Sequence, residues 1–229
     1  KVTQIILKTI KELNEWRLND QKGISFVPSM GNLHEGHKEL IREAKKLKEN
    51  LVLLSIFINP LQFNDKEDLR NYPRTIDKDI DLAFAAGADA IFIPCEDEIF
   101  PLNEKRIKYQ KASEDLSKAL CGIYRNGHFD GVCTVVHRLI NIVKPEVMFL
   151  GEKDWQQLLI IKEMVEKHNL KVTIRSINTQ RDIDGVPFSS RNNLLLKKDR
   201  EKLKLFSGEL LHTKQIFKQT KNINLKKIL

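Results

Sequence analysis

The sequence predicts an α/β fold built on a doubly wound parallel sheet, and three observations favour this fold class. Apolar runs of strand length alternate along the chain with segments whose apolar residues recur at helical spacing. One run, Leu51–Ile58, is apolar apart from Ser55, which is typical of a strand covered on both faces in a parallel sheet. Polar segments follow several of the strands, at the edge where such sheets bind ligands.

The spacing of apolar residues predicts the elements in chain order. The first is an amphipathic helix over residues 3–18, with Ile6, Leu7, Ile10 and Leu13 on its apolar face. The predicted strands are Ile24–Val27, Leu51–Ile58, Ala90–Ile93, Val147–Leu150 and Lys171–Ile177. A second helix is predicted to begin near Glu35. Three more are predicted over Ile76–Ala86, which ends at Gly87, over Val132–Val143, which ends before Pro145, and over Leu158–Val165. This alternation favours βαβ units and a Rossmann-like sheet.

A change of character near Thr179 predicts a domain boundary. The turn sequence Asp182–Gly185 is followed by a polar segment and then by a lysine-rich stretch with helical spacing. We therefore expect one domain over residues 1–178 and a smaller one over residues 179–229.

The segment from Phe26 to His37 is the most informative part of the chain. An apolar strand meets a Pro/Gly turn, and two histidines, His34 and His37, precede an amphipathic helix. The N-terminus of such a helix has unpaired N–H groups and partial positive charge, which suit a phosphate. The two histidines share one face of the first turn and add donors. His-x-Gly-His alone is a weak pattern, and metal binding is the rival interpretation, although no third ligand is recognisable.

Two further polar segments follow predicted strands. Asn59–Phe63 places Gln62 at the end of a strand, where it either binds a polar substrate or is simply exposed. In Gly151–Gln157, Lys153 would meet a phosphate and Gln157 a second ligand; the alternative is helix capping by Asp154 beside a surface lysine. The parallel topology brings both segments to the same sheet edge as the histidines.

Ser189–Asn192 lies beyond the expected boundary. Two hydroxyl groups beside an arginine form a natural clamp for a polyphosphate, although the segment could also be a plain polar loop.

The composition is that of a soluble folded protein, with 41% apolar and 31% charged residues. The formal charge of +8 raises the possibility of nucleic-acid binding. The lysines are scattered, however, as at Lys45, Lys46 and Lys48, and no arginine-rich run or aromatic platform accompanies them. A solvated surface that attracts anionic metabolites is favoured, and no apolar run is long enough to span a bilayer.

Cysteine usage indicates a reducing compartment. The three cysteines, Cys95, Cys121 and Cys133, are widely spaced, form no C-x-x-C pair and have apolar neighbours. We expect them to be reduced and buried, in a cytoplasmic protein.

Six ordered segments together resemble the pantothenate synthetase (pantoate–β-alanine ligase) family, within the nucleotidyltransferase superfamily that carries a His-x-Gly-His element. They are Pro28–His37, Ser55–Phe63, Tyr72–Arg74, Gly127–Val136, Gly151–Gln157 and Asp184–Asn192. They span nearly the whole chain. The resemblance implies ATP-dependent ligation of pantoate and β-alanine to pantothenate through a pantoyl adenylate, with release of AMP and pyrophosphate.

The resemblance also implies roles for particular residues. The catalytic group would be His34, His37 and Lys153, with His37 as proton donor. Those that bind ATP would be Met30, Gly31, His34, His37, Gly151, Lys153, Asp154, Gln180 (through its backbone), Phe188, Ser189, Ser190 and Arg191. Gln62, Gln157 and Asn59 would bind pantoate and β-alanine.

The resemblance further implies Mg²⁺ accompanying ATP, with no protein ligand that we can name, and a homodimer without nucleic-acid or membrane partners. Residues 1–178 would bind nucleotide and pantoate. Residues 179–229 would form a partial lid domain, because fewer residues follow Arg191 than the family's second domain needs.

Two other functions remain open from the residues alone. A different nucleotidyltransferase would act on a phosphorylated acceptor, which calls for cations rather than the neutral amides of Gln62 and Gln157. A basic nucleic-acid-binding module would bind oligonucleotides with steep salt dependence and without catalysis.

Overall fold

Within residues 4–101 and 110–219, which the computed structural model describes, six strands form one parallel sheet. The strands are β1 (Ile5–Leu7), β2 (Gly23–Ser29), β3 (Asn50–Ile56), β4 (Ala90–Phe92), β5 (Val147–Gly151) and β6 (Thr173–Ile177). Their order across the sheet is β1-β4-β3-β2-β5-β6, and each pairing is parallel. The chain divides into two compact units, Lys1–Asn178 and Thr179–Leu229.

Helices connect the strands and cover the sheet. Those of the described residues are α1 (Ile10–Leu18), α2 (Glu35–Lys45), α3 (Lys66–Asn71), α4 (Ile76–Ala86), α5 (Glu96–Ile99), α6 (Glu114–Ser117), α7 (His128–Val143), α8 (Trp155–Lys167) and α9 (Lys197–Gln219). Gly87 ends α4 in the left-handed conformation (φ 112°), where glycine is favoured because it has no Cβ.

Two apolar cores lie on opposite faces of the sheet. Successive residues of β3 point to different cores: Leu53 packs with α1, α7 and α8, whereas Leu54 packs with α2 and α4. Both residues are fully buried. A strand buried on both faces requires the near-continuous apolar run seen in the sequence, so the predicted doubly wound α/β fold is confirmed.

The predicted single helix over residues 3–18 is wrong. Ile5–Leu7 form a short edge strand beside β4, with Ile6 opposite Ile91, and the helix begins only at Ile10. Thr9 ends the strand and caps the helix: its hydroxyl accepts the N–H of Glu12, whose carboxylate accepts the N–H of Thr9. This reciprocal cap explains why the helix cannot extend back to residue 3.

Two smaller expectations also need correction. Strand β2 runs two residues beyond Val27, with Pro28 opposite Ser55, so the turn begins at Met30. Of the cysteines expected to be buried, Cys95 and Cys121 are exposed, because apolar neighbours in sequence do not ensure burial. Cys133, on α7, is buried, and burial raises the pKa of its thiol to about 12.

The second unit begins with a tight hairpin, in which Arg181 and Pro187 form an antiparallel bridge. A single-turn 3-10 helix, Asn192–Leu194, then leads into the long helix α9. No helix of the described residues has the length and apolar character needed to cross a membrane.

Candidate active site

The sheet has its topological switch point between β2 and β5. From β2 the chain passes through α2 to β3 on one side, whereas β5 lies on the other side of β2. The crevice beyond the carboxyl ends of two such strands is where doubly wound sheets bind ligands. Met30–His37 follows β2 and Gly151–Asp154 follows β5. The topology therefore brings these two predicted segments to one crevice.

The two histidines meet at the N-terminus of α2. His34 is the N-cap residue, with extended backbone, and His37 lies in the first turn. The ring centroids are 4.0 Å apart, and the backbone N–H of His34 donates to Nδ1 of His37 at 3.3 Å. Because Nδ1 accepts, this hydrogen bond assigns the proton of the neutral His37 ring to Nε2.

Both rings are uncharged near neutral pH. Burial, followed by the charge of Lys153, lowers the pKa of His34 from 6.5 to about 4, against an opposing effect of Asp154. Burial, followed by His34 and Lys153, lowers the pKa of His37 to about 3. Lys153 and Asp154 therefore lie close enough to influence the histidines, and Lys153 is the cation of this group.

Lys153 and Asp154 belong to a 3-10 turn, Glu152–Asp154, between β5 and α8. Nζ of Lys153 lies 3.3 Å from Oδ1 of Asp154. Asp154 is at the N-cap of α8, but its side chain makes no capping hydrogen bond. The capping alternative for Asp154 is therefore wrong in this structure, and its carboxylate faces a lysine instead.

Gln62 is held by its neighbours in a 3-10 turn, Pro60–Gln62, that follows β3. Asn59, 1% exposed, donates through Nδ2 to Oε1 of Gln62 at 3.0 Å and to the carbonyl oxygen of Gly131 at 3.1 Å. Oδ1 of Asn59 accepts the N–H of Leu61. Since these bonds engage both ends of the Asn59 amide, the geometry makes Asn59 a support for Gln62 rather than a substrate contact.

Gly131, on α7, is a residue that the sequence analysis did not single out as functional. A Cβ at this position would lie 2.2 Å from the carbonyl oxygen of Leu61 and 2.8 Å from the nitrogen of Gln62. Only glycine therefore allows α7 to pack this closely against the turn that carries Gln62. An isolated glycine inside an apolar helical pattern was the available signal.

Two adjacent glutamines at the start of α8 have different environments. Nε2 of Gln156 donates to the carbonyl oxygens of Leu116 and Ala119, at 2.7 Å each. Gln157 is half-buried, and its amide makes no hydrogen bond to another described residue. The 3-10 turn of Gln62 and helix α8 both pack against α7. Of the two amides, that of Gln157 is the one available to a ligand.

Gln180 and Phe188–Arg191 lie in the second unit. The N–H of Phe188 donates to the carbonyl oxygen of Gln180 at 3.1 Å, and the N–H of Arg191 donates to Oγ of Ser189 at 3.3 Å. Arg191 is exposed. These contacts hold Phe188–Arg191 as a hydrogen-bonded turn after the hairpin, and both the phosphate clamp and the plain polar loop stay open.

An ionic cluster fixes this hairpin to α9. Arg200 pairs with Asp182 and with Asp184, the latter at 3.3 Å, and Lys204 lies 2.8 Å from Asp184. Lys204 and Arg200 lower the pKa of Asp184. We name these four residues the hairpin clamp; the sequence analysis identified none of them as functional.

The metal interpretation of the histidine pair finds no further ligand. In residues 4–101 and 110–219, no group of three His, Cys, Asp or Glu side chains comes together in a way that could hold a metal ion.

Comparison with known proteins identifies relatives over nearly the whole chain. The family profile described as Pantoate-beta-alanine ligase matches residues 5–228. A bifunctional pantoate ligase/cytidylate kinase of Prochlorococcus marinus strain MIT 9301 is 57% identical over 226 residues. That match covers 99% of this chain but 44% of the relative, so the chain spans less than half the length of the curated relatives it matches.

Solved structures give the same result. A pantothenate synthetase from Thermus thermophilus is 37% identical, with a TM-score of 0.86 over 94% of this chain and 76% of that one. A pantoate-beta-alanine ligase from Francisella tularensis, complexed with beta-gamma ATP and beta-alanine, is also 37% identical. Its TM-score is 0.84, over 90% of this chain and 78% of that one.

Proposed function

Because this chain belongs to the pantoate–β-alanine ligase family, we propose that it joins pantoate to β-alanine at the expense of ATP, through a pantoyl adenylate. The main support is the convergence of His34, His37 and Lys153 at the switch point of the sheet, with the amide of Gln62 at the same edge. This arrangement suits two ligands, one anionic and one polar.

The first step needs donors around a phosphate. A carboxylate oxygen of pantoate attacks the α-phosphorus of ATP, a new P–O bond forms, and the bond to pyrophosphate breaks. Lys153 supplies the positive charge, and the N-terminus of α2 adds its N–H groups. Negative charge that develops on the phosphate oxygens in the transition state would be stabilised by these fixed donors.

The expected role of His37 as a proton donor changes in this mechanism. With its pKa lowered to about 3, the ring carries no transferable extra proton near pH 7. We propose that His37 instead donates a hydrogen bond through Nε2–H. The ring is held in the orientation for this because its Nδ1 accepts the backbone N–H of His34.

The second step is aminolysis of the mixed anhydride. The neutral amine of β-alanine attacks the carbonyl carbon of the pantoyl adenylate, the C–O bond to AMP breaks, and the amine loses a proton as the amide forms. Gln62, oriented by Asn59, and Gln157 would hold pantoate through their amide groups, and Gln62 would also lie beside β-alanine.

Magnesium would enter with ATP. Mg²⁺ is commonly held by one or two carboxylates together with substrate phosphates rather than by a cage of protein ligands. The Asp154 carboxylate lies close enough to influence His34, and the described residues contain no cluster of three ligands. These residues fit an ion carried on the triphosphate, where it would neutralise phosphate charge, and Asp154 is the side chain that would help to hold it.

Residues Gly151 and Met30–Gly31 would line the nucleotide. In the second unit, Phe188–Arg191 would bind its phosphates, and the backbone of Gln180 would contact its adenine. We also propose that the chain forms a homodimer and that it is located in the cytoplasm. Sedimentation analysis of the purified chain and microscopy of a tagged chain in its host cell would test these two points.

Product analysis tests the proposed function. The chain is incubated with ATP, Mg²⁺, pantoate and β-alanine, and products are identified by mass spectrometry. We expect AMP, pyrophosphate and pantothenate in equal amounts over many turnovers, with AMP and pantothenate dependent on both pantoate and β-alanine. Nucleotide transfer to a phosphorylated alcohol, with no consumption of pantoate, would contradict the proposal and favour a different nucleotidyltransferase.

A second measurement separates the nucleic-acid alternative. A binding module would retain tight, salt-dependent oligonucleotide binding after His37→Ala. The ligase proposal predicts instead that His37→Ala impairs adenylate formation.

A further inference from the structure

The loop between β2 and α2 has an unusual backbone that needs support from outside. Gly31 and Asn32 are consecutive residues with left-handed φ values of 82° and 48°. Such a conformation is rare for asparagine, and it persists only where surrounding contacts favour it. Ser29 supports one end, because its Oγ accepts the N–H of Gly31 at 3.3 Å and donates to the carbonyl oxygen of Ser55 at 2.7 Å.

Asp79, on α4, supports the rest of this loop. Oδ2 of Asp79 accepts the N–H of Asn32 at 2.9 Å, and Oδ1 accepts the N–H of Leu33 at 2.7 Å. The residue is 1% exposed. A Cβ added to Gly31 would lie 3.0 Å from Oδ2, so the carboxylate lies directly against the turn.

The carboxylate is itself oriented. The hydroxyl of Thr75, the N-cap residue of α4, donates to Oδ2 at 3.1 Å. Asp79 also lies near the N-terminus of α4, where the partial positive charge of the helix stabilises a carboxylate. Two backbone donors, one hydroxyl and a helix terminus thus hold this buried charge in a single orientation.

We infer that Asp79 is a positioning residue for ATP. It fixes the backbone of residues 31–33, and through that backbone it places His34 and His37 at the N-terminus of α2 before the nucleotide arrives. This inference rests on the proposed function, since it assumes that the histidine pair binds ATP. A loop that is already ordered does not lose conformational entropy on binding, which raises affinity.

The same geometry restricts which groups meet the phosphates. The N–H groups of Asn32 and Leu33 point at Asp79 and are not available to ATP. In this part of the first unit, the phosphates would therefore be met by the histidines, Lys153 and the first N–H groups of α2 rather than by the loop N–H groups. Asp79 acts through these groups and does not touch the substrate.

Asp79→Asn tests the inference. The amide keeps the shape of the carboxylate, but its NH₂ group cannot accept an N–H, so one loop donor loses its partner. We expect the Kd for ATP, measured calorimetrically without pantoate, to rise about tenfold, because a loop that has lost one of its supports must be ordered when the nucleotide binds. The KM for pantoate should change less than twofold.

Asp89→Asn is the matched control. The Asp89 carboxylate also joins elements through a backbone bond, accepting the N–H of Val52 at 2.8 Å, and it pairs with Lys45. It lies at the start of β4, away from the carboxyl ends of the strands. We expect Asp89→Asn to lower the melting temperature without changing the Kd for ATP.

Three outcomes decide between positioning and a purely structural role. If Asp79→Asn lowers the melting temperature as Asp89→Asn does but leaves the Kd for ATP unchanged, the inference is overturned. If Asp79→Asn does not fold, Thr75→Val is measured in its place, since it removes only the hydroxyl that orients Asp79. A Kd for ATP that rises about two- to threefold in Thr75→Val supports positioning. An unchanged Kd overturns the inference. If the wild-type chain binds no ATP, both this inference and the proposed function fail.

A failure of the proposed function alone is distinguishable. In that case the wild-type chain binds ATP and Asp79→Asn weakens this binding, but no pantothenate forms.

Discussion

The two segments that we propose to bind phosphate are built in different ways. The first, residues 30–37, follows a central strand, and a fully buried carboxylate fixes its backbone. The second, residues 188–191, follows a hairpin that is fixed by the partly exposed hairpin clamp, whose Lys204 side chain is 49% exposed. Buried hydrogen bonds between a carboxylate and the backbone are little screened by salt and keep a loop ordered. Exposed ion pairs contribute little to stability and are screened by salt.

This difference implies a division of labour. A segment beside partly exposed ion pairs opens at lower free-energy cost than one fixed by fully buried contacts, as binding segments that must adjust commonly do. A segment fixed by buried contacts provides rigid donors where charge develops in a reaction. The first segment would therefore supply the chemistry, and the second would adapt to the phosphates of a bound nucleotide.

The largest effect is expected from Lys153, the cation that lies beside the histidines of residues 30–37. Lys153→Ala should lower the turnover number by about 10²–10³-fold, as the loss of a fixed donor to a developing oxyanion typically does. Lys11→Ala, which removes a lysine from the exposed surface of α1, serves as the control and should leave turnover unchanged. Steady-state kinetics measures both variants. Near-normal turnover in Lys153→Ala would remove this residue from the mechanism.

A second comparison uses one added methyl group in each unit. Gly131→Ala should raise the KM for pantoate about tenfold, because the new Cβ would meet the backbone of Leu61 at 2.2 Å and displace Gln62. Gly208→Ala, in α9, meets nothing within 4 Å. It should stabilise the helix by up to about 1 kcal/mol.

Kinetics and chemical denaturation measure these two glycine variants. If Gly131→Ala leaves the KM for pantoate unchanged, the close packing of α7 does not position Gln62.

Acid should affect the histidine region before the hairpin clamp. The folded-state pKa values of His34 and His37 are lowered from 6.5 to about 4 and about 3, so the unfolded chain takes up protons first as the pH falls below 6.5. Stability is therefore present above pH 6.5 and is lost between that value and the folded-state pKa values. For half-buried rings we expect a loss of about 1 kcal/mol from about pH 7 to about pH 5.

Urea denaturation at several pH values measures this loss. His37→Asn should reduce the slope of stability against pH in this window and leave the curves parallel above pH 7. An unchanged slope would contradict the assignment of a neutral buried ring to His37.

The smallest effect is expected from salt on the hairpin clamp. Raising the concentration of NaCl to about 1 M should speed amide exchange at Asp184 and Val186 a few-fold, because exposed ion pairs contribute about 1 kcal/mol or less. The amides of Asn32 and Leu33, which donate to Asp79, should not respond. Hydrogen exchange followed by NMR reports both regions in one sample, and equal salt sensitivity would remove the distinction between them.

Local patterns predicted most of the fold. The apolar run that overlaps β3 and the glycine that ends α4 are both local features of consecutive residues. They could therefore be interpreted without tertiary information. The edge strand Ile5–Leu7 was missed because three apolar residues cannot establish a period, and the Thr9–Glu12 cap was the overlooked signal.

The candidate site was less accessible to sequence analysis, because its supports are distant in the chain. Asp79 contacts a loop 46 residues earlier, and Asn59 contacts Gly131, which is 72 residues later. Only the folded sheet brings these pairs together. The neutral state of the His37 ring was equally out of reach, since it follows from burial rather than from residue type.

We propose that this chain forms a pantoyl adenylate beside residues 30–37, and isotope exchange isolates that step. Labelled pyrophosphate is incubated with the chain, ATP, Mg²⁺ and pantoate, without β-alanine, and the label that enters ATP is measured. We expect exchange that requires pantoate, does not require β-alanine, and is lost in Lys153→Ala. Exchange that proceeds without pantoate, or that is absent while pantothenate forms with both substrates present, would contradict the proposal.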